Sequence, residues 1–168
     1  MSEGSSASDD SRPEENPPGQ PLPEGDVHDW YLRGMELLGR GSPAAAAQVL
    51  QRASAAEPGS RSIREALARA EFDAGRYAEA ADNFRVIVEA SPSDDYAHFG
   101  LGLALARTGD HAAAAEYLAL ASAMRPDAAH YTDALRSVRA TLRARAAARP
   151  ADREGPQPVL QEDGQEEG

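Results

Sequence analysis

The chain has 168 residues, room for one modest domain with tails. It contains no cysteine, which excludes a disulfide framework, a thiolate metal site and a cysteine nucleophile. The formal net charge of -11 belongs to the ends: residues 1–26 hold seven acidic groups and Arg12, residues 151–168 hold six and Arg153, and the segment between them is balanced.

Residues 1–26 are rich in Ser, Asp, Glu, Pro and Gly, with almost nothing to bury, so a disordered acidic tail is expected there. Pro18-Gly19-Gln20-Pro21 fits a PxxP ligand, a pattern any proline-rich stretch supplies cheaply. The start lacks a basic, apolar leader, and no run approaches the roughly 18 apolar residues of a membrane span. A soluble, cytoplasmic protein with no membrane partner is the expectation.

From Val27 the apolar spacing becomes helical, with Trp30, Gly34, Leu37 and Leu38 on one side. Gly41-Ser42-Pro43 breaks this helix, and Ser42 with Pro43 fits the start of a second, through Ala46, Val49, Leu50 and Ala53. Ile63, Leu67, Ala70 and Phe72 predict a third helix; a turn at Gly75 precedes a fourth through Tyr77, Ala80, Phe84, Ile87 and Val88. Ser93 is the expected cap of a fifth, carrying Phe99, Leu101, Gly102 and Leu105, and a sixth follows Gly109 with Ala114, Leu118 and Ala121. Asp127 is the expected cap of a last helix over residues 129–149, ended by Pro150 and followed by a second disordered acidic tail, residues 150–168.

Five columns keep one step of 34 residues: Pro58, Pro92, Pro126; Gly41, Gly75, Gly109; Ala46, Ala80, Ala114; Leu50, Phe84, Leu118; and Gly34, Ala68, Gly102. A fixed period through several residue types is a repeat array. Its units are residues 27–60, 61–94 and 95–128, a region 27–128, with residues 129–149 covering the last apolar face.

These columns resemble the tetratricopeptide repeat family, a 34-residue helix–turn–helix unit. The first unit shows Trp30, Gly34, Ala46, Leu50, Ala53 and Pro58; the second Leu67-Ala68, Tyr77, Ala80, Phe84 and Pro92. The third is nearest to the pattern, with Leu101-Gly102, Leu105, Gly109, Ala114, Leu118, Ala121 and Pro126. The resemblance implies an all-α, right-handed superhelix of three repeats with a capping helix. Three columns depart from it. Arg33 stands in the column of Leu67 and Leu101. Pro43 and His111 replace the aromatic Tyr77. Glu71 takes the place of Leu37 and Leu105, so Phe72 is expected to pack instead. Small residues at Gly34, Ala68 and Gly102 are expected to face Ala46, Ala80 and Ala114.

In this family the first helices line a concave groove. The resemblance therefore implies a protein or peptide site along Tyr31 and Met35, then Glu65, Arg69 and Asp73, then Tyr96, Phe99 and Arg107, with His130 and Asp133 at one end. Aromatic residues are only 5% of the chain, so several on one face suggest anchors for an apolar or helical peptide. Glu65, Arg69 and Asp73, four apart, read as an intrahelical ion-pair ladder or as a charged stripe that selects a partner. The clamp by which some relatives hold chaperone C-termini uses lysine, which this chain lacks. Arg136, Arg139, Arg143, Arg145 and Arg149 make the last helix basic, but few aromatics accompany them and the chain is acidic overall, which argues against nucleic acid. An acidic tail folded back on that helix is the simpler expectation. His28, His98, His111 and His130 are scattered, and no nucleophile elbow or phosphate loop occurs. The reading is a non-catalytic scaffold or adaptor with no cofactor and no metal. Its rivals are a self-assembling structural module, a homo-oligomer, and a regulatory subunit of an enzyme on another chain.

Overall fold

A computed structural model describes residues 25–148. The expected PxxP stretch, residues 1–24 of the first tail, Arg149 and the second tail lie outside these residues, whereas Asp26, expected in the first tail, caps the first helix, its carboxylate accepting from the Asp29 amide at 3.0 Å. The described region is all helical: α1 (Val27–Gly39), α2 (Pro43–Ala56), α3 (Arg61–Asp73), α4 (Tyr77–Ala90), α5 (Asp95–Thr108), α6 (His111–Met124) and α7 (Ala129–Ala147). Each helix packs mainly on its neighbours in sequence, giving three hairpins and a final single helix.

The 34-residue columns set the turns. Gly41, Gly75 and Gly109 have φ of +72°, +79° and +96°, each closing the first helix of a hairpin. There the amides of Ser42, Arg76 and Asp110 donate back to the carbonyls of Leu37, Glu71 and Leu105 at 2.9, 2.8 and 3.0 Å, a Schellman closure that needs the left-handed residue. The prolines do a different job between hairpins. Ser60, Asp94 and Ala128 donate to the carbonyls of Glu57, Ser91 and Arg125 at 3.1, 3.0 and 3.1 Å, which puts Pro58, Pro92 and Pro126 second in a four-residue turn.

This turn corrects two expected caps. The helix starts at the fourth turn residue, so Asp94 rather than Ser93 caps α5, its carboxylate accepting from the Ala97 amide at 3.1 Å. Likewise Ala128 rather than Asp127 precedes α7, without a side-chain cap. Ser42 and Pro43 stand at the start of α2 as expected, although the serine hydroxyl makes no capping bond.

The core runs along the hairpin interfaces through Ala46, Leu50, Ala68, Ala80, Phe84, Leu101, Ala114 and Leu118, all at most 2% exposed. A Cβ on Gly34 would collide with the Leu50 side chain, and one on Gly102 would lie 2.7 Å from Leu118 Cγ. The small first-helix residues thus make room for the large second-helix side chain as well as for the facing alanines. The exposed start of the stack is polar: Arg33, in the column of buried Leu67 and Leu101, pairs with Glu36 at 2.7 Å. At the other end Arg136 and Arg139 occupy the columns of Gly102 and Leu105 and are exposed, so α7 offers no seat for a further helix.

Glu71 does not yield its inward place to Phe72. It stays buried at 2% exposure, accepting from Asn83 Nδ2 at 2.8 Å, while Arg64 donates to Asn83 Oδ1 at 3.0 Å and to the Pro58 carbonyl at 2.8 Å. Asn83 replaces Val49 and Tyr117 of the other hairpins, so a polar pair substitutes for an apolar one across α3 and α4. Burial pushes the Glu71 carboxyl above the ordinary carboxylate range, opposed by the Asn83 hydrogen bond and by Arg76.

Candidate peptide-binding groove

First helices of successive hairpins touch (α1 with α3, α3 with α5, α5 with α7), whereas no contact joins α2 to α4 or α4 to α6. The stack therefore curves with α1, α3, α5 and α7 on its inner side. Two cavities lie side by side on that face and share Arg69 and Tyr96. The larger, about 450 Å³, is lined by Tyr31, Met35, Arg61, Ser62, Glu65 and Arg69, with Ala66 and Tyr96. The smaller, about 180 Å³, is mostly aromatic, with Phe72, Phe84, Tyr96, Phe99 and Leu103 beside Arg69 and Asp73.

The structure brings seven of the eight expected groove residues, Tyr31, Met35, Glu65, Arg69, Asp73, Tyr96 and Phe99, to these cavities. Arg107 is near but engaged: its guanidinium lies 5.8 Å from the Phe72 ring centre and 5.6 Å from that of Tyr77, and it donates to Tyr77 Oη at 3.4 Å. Phe72 in turn meets Tyr77 edge to face at 5.2 Å. Met35 and Tyr96 are each 36% exposed, large apolar surface left uncovered on the inner side. Tyr96 rests edge-on against Phe84 at 6.1 Å, and partial burial raises its hydroxyl pKa.

Phe99 has a double role. It stacks on Tyr131 of α7 at 4.4 Å, with His130 edge-on at 5.3 Å, and still lines the smaller cavity. Tyr131 is buried and donates to Asp95 Oδ2 at 2.8 Å; Arg125 Nε lies 3.4 Å from the same oxygen. Burial, then the Asp95 carboxylate, pushes the Tyr131 hydroxyl pKa well up. Asp133 is instead exposed and pairs with Arg136 at 2.6 Å.

The expected ladder through Glu65, Arg69 and Asp73 is broken. Glu65 pairs with Arg61 at 3.2 Å, one turn earlier, because Arg61 also reaches Asp94 at 2.5 Å and is drawn to that side. Arg69 keeps only a loose approach of its Nε to Asp73, at 3.9 Å. Sequence reasoning missed Arg61 and Phe84 as groove residues. Phe84 belongs to a second helix, and the signal was Gly100: a Cβ there would collide with the Phe84 ring, so the ring leans across α5 to the inner face.

Among the described residues no group of three or more His, Asp or Glu side chains is placed to hold a metal ion, and no helix is long and apolar enough to cross a membrane.

Two tetratricopeptide repeat family models match, one over residues 31–95 and one over residues 71–138. The chain belongs to the tetratricopeptide repeat family. Solved structures of this fold superpose on the repeats. The first tetratricopeptide domain of Spaghetti (RPAP3), bound to an HSP90 peptide SRMEEVD, is 18% identical with a TM-score of 0.65, covering 70% of this chain and 93% of that one. MamA of Desulfovibrio magneticus RS-1 is 20% identical with a TM-score of 0.68, covering 73% and 69%. The first tetratricopeptide domain of human RPAP3 is 17% identical with a TM-score of 0.66, covering 73% and 96%. At these identities the likeness concerns the fold. No curated protein matches the chain.

Proposed function

We propose that this tetratricopeptide chain is a scaffold or adaptor that holds a peptide or protein partner on the inner face of its repeats, without chemistry of its own. The observation that carries this reading is the pair of adjoining cavities on the first helices, with Met35 and Tyr96 left exposed between polar and aromatic walls. Exposed anchors set among hydrogen-bonding groups are what a peptide groove needs. The peptide-bound relative adds support of kind, since its fold carries a ligand. In this reading residues 27–128 form the binding domain in three units, 27–60, 61–94 and 95–128. Residues 129–149 cap it, and the working compartment is the cytoplasm.

Affinity purification of the full chain with mass spectrometry, repeated with Met35→Ala/Tyr96→Ala, tests the proposal. Both side chains are exposed, so the helical circular dichroism should persist while the captured partners fall at least about tenfold, as for anchor residues worth more than about 1.4 kcal/mol. Undiminished capture by a folded double variant refutes it. Self-assembly is the second reading, favoured by exposed Val86, Leu120 and Met124 on α4 and α6. Light scattering over a concentration series separates the two, a mass that stays monomeric excluding the second.

A further inference from the structure

Among the described residues Arg61 and Arg69 line the inner cavities and Arg107 lies near them, and Arg61 and Arg107 are spent on the fold. Arg61 is bound by Asp94 and Glu65, and Arg107 lies over Phe72 and Tyr77. Arg69 is different. Its side chain is 55% exposed, its only carboxylate neighbour among the described residues is Asp73 at 3.9 Å, and it borders both cavities. The groove therefore pairs one aromatic pocket with one available guanidinium beside it. A matching ligand carries a large apolar side chain with a carboxylate a residue or two away.

This chain contains such a segment. In residues 149–168 the only large apolar side chains are Val159 and Leu160, and Glu162-Asp163 follow them directly after Gln161. The tether is long enough. Leu160 lies 12 residues beyond Ala148, about 40 Å of extended chain. The return along α7 from Ala147 to Tyr131, whose ring stacks on Phe99, is about 24 Å of helix.

We propose that the groove is occupied by the chain's own segment Pro158–Asp163, with Val159 and Leu160 in the aromatic pocket and Glu162 or Asp163 on Arg69. This rests on the groove reading above and adds a regulator to it, because an external partner must displace the segment. A flexible tether supplies an effective concentration of about 1 mM. A segment that binds in trans with a Kd of about 100 µM is then docked about ten times more often than free, which weakens an external ligand about tenfold.

The absence of other cysteines allows a single spin label at Gly164→Cys in the full chain. Broadening of the backbone amide signals of Arg69, Phe72, Tyr96 and Leu103, lost on adding Leu160→Asp, is the expected result. A fluorescent peptide of residues 156–168 should bind the Leu160→Asp chain about tenfold more tightly than the unmodified chain, and Arg69→Glu should abolish that gain. Equal peptide affinities, or broadening confined to Arg136, Arg139 and Arg143 on α7, overturn the proposal. If this happens while Met35→Ala/Tyr96→Ala still strips captured partners, the groove stands and only its self-occupation falls. Undiminished capture removes both.

Discussion

Gly100→Ala is a substitution of one methyl group that should unsettle the middle of the stack. Its Cβ would come within 2.6 and 2.7 Å of Phe84 Cε1 and Cε2, roughly 1 Å inside ordinary carbon contact. The ring is 2% exposed, belongs to the core of Ala68, Ala81 and Leu101, and can yield only toward the smaller inner cavity that it lines. Overpacking of this kind costs about 1–3 kcal/mol. Alanine regains about 1 kcal/mol of helix propensity over glycine, leaving a net loss of up to about 2 kcal/mol. Phe84→Leu alone opens space over Gly100 and costs about 1–2 kcal/mol. Together the two changes set leucine against alanine across the hairpin boundary, the register of Leu50 with Ala66 and Leu118 with Ala134, while Ala68 keeps the place that Gly34 and Gly102 hold within those hairpins. The double variant should return to within about 1 kcal/mol of the unmodified chain, a coupling far outside additivity. Urea unfolding followed by circular dichroism at constant m measures all four species. Losses that simply add in the double variant refute the steric argument.

Tyr131→Phe removes the hydroxyl that donates to Asp95 and should cost about 1.5–3 kcal/mol, the range for a hydrogen bond to a charged group; faster amide exchange in α7 than in α3 checks that the loss is local. Glu71 is held with a raised pKa, so the folded state binds its proton more tightly than the unfolded state and this group's contribution to stability falls as pH rises from the ordinary carboxylate range through the folded value. Glu71→Gln should therefore gain on the unmodified chain as pH is raised from 4 to 7, and urea midpoints that keep a fixed separation across that window refute the assignment.

The 34-residue step made the helices, hairpins and turns legible, because glycine at a left-handed closure and proline at the second place of a turn are backbone requirements that few residues meet. The caps were misplaced by one residue because a proline marks the turn and not the helix start: the amide that closes the turn belongs to Ser60, Asp94 or Ala128. The inner-face residues followed from the family register, and seven of eight line the cavities. Side-chain commitments were not legible. Whether Arg61 pairs with Glu65 or Arg69 does depends on Asp94, more than thirty residues away, and periodicity along a helix carries no information about a partner in the next hairpin. Glu71 misled for a related reason. A charge in an apolar column suggests that a neighbour has taken over the packing, yet here Asn83 donates to it in place and is itself held by Arg64.

Phe84 ties the stability of the stack to the shape of its groove. Each large second-helix side chain stands between one glycine and one alanine, but the order differs. Leu50 has Gly34 within its hairpin and Ala66 in the next, and Leu118 has Gly102 and then Ala134. Phe84 reverses this, with Ala68 within its hairpin and Gly100 ahead, so its ring is displaced toward α5 and forms a wall of the smaller inner cavity. Leucine, smaller than the ring that already fits beside Ala68, would be admitted at that place and would withdraw the aromatic wall. It follows that Phe84→Leu/Gly100→Ala should be folded yet impaired as a binder, losing the peptide of residues 156–168 in a Leu160→Asp background while its urea midpoint stays near that of the unmodified chain. A double variant that both folds and binds unchanged would mean that the glycine at position 100 serves packing alone.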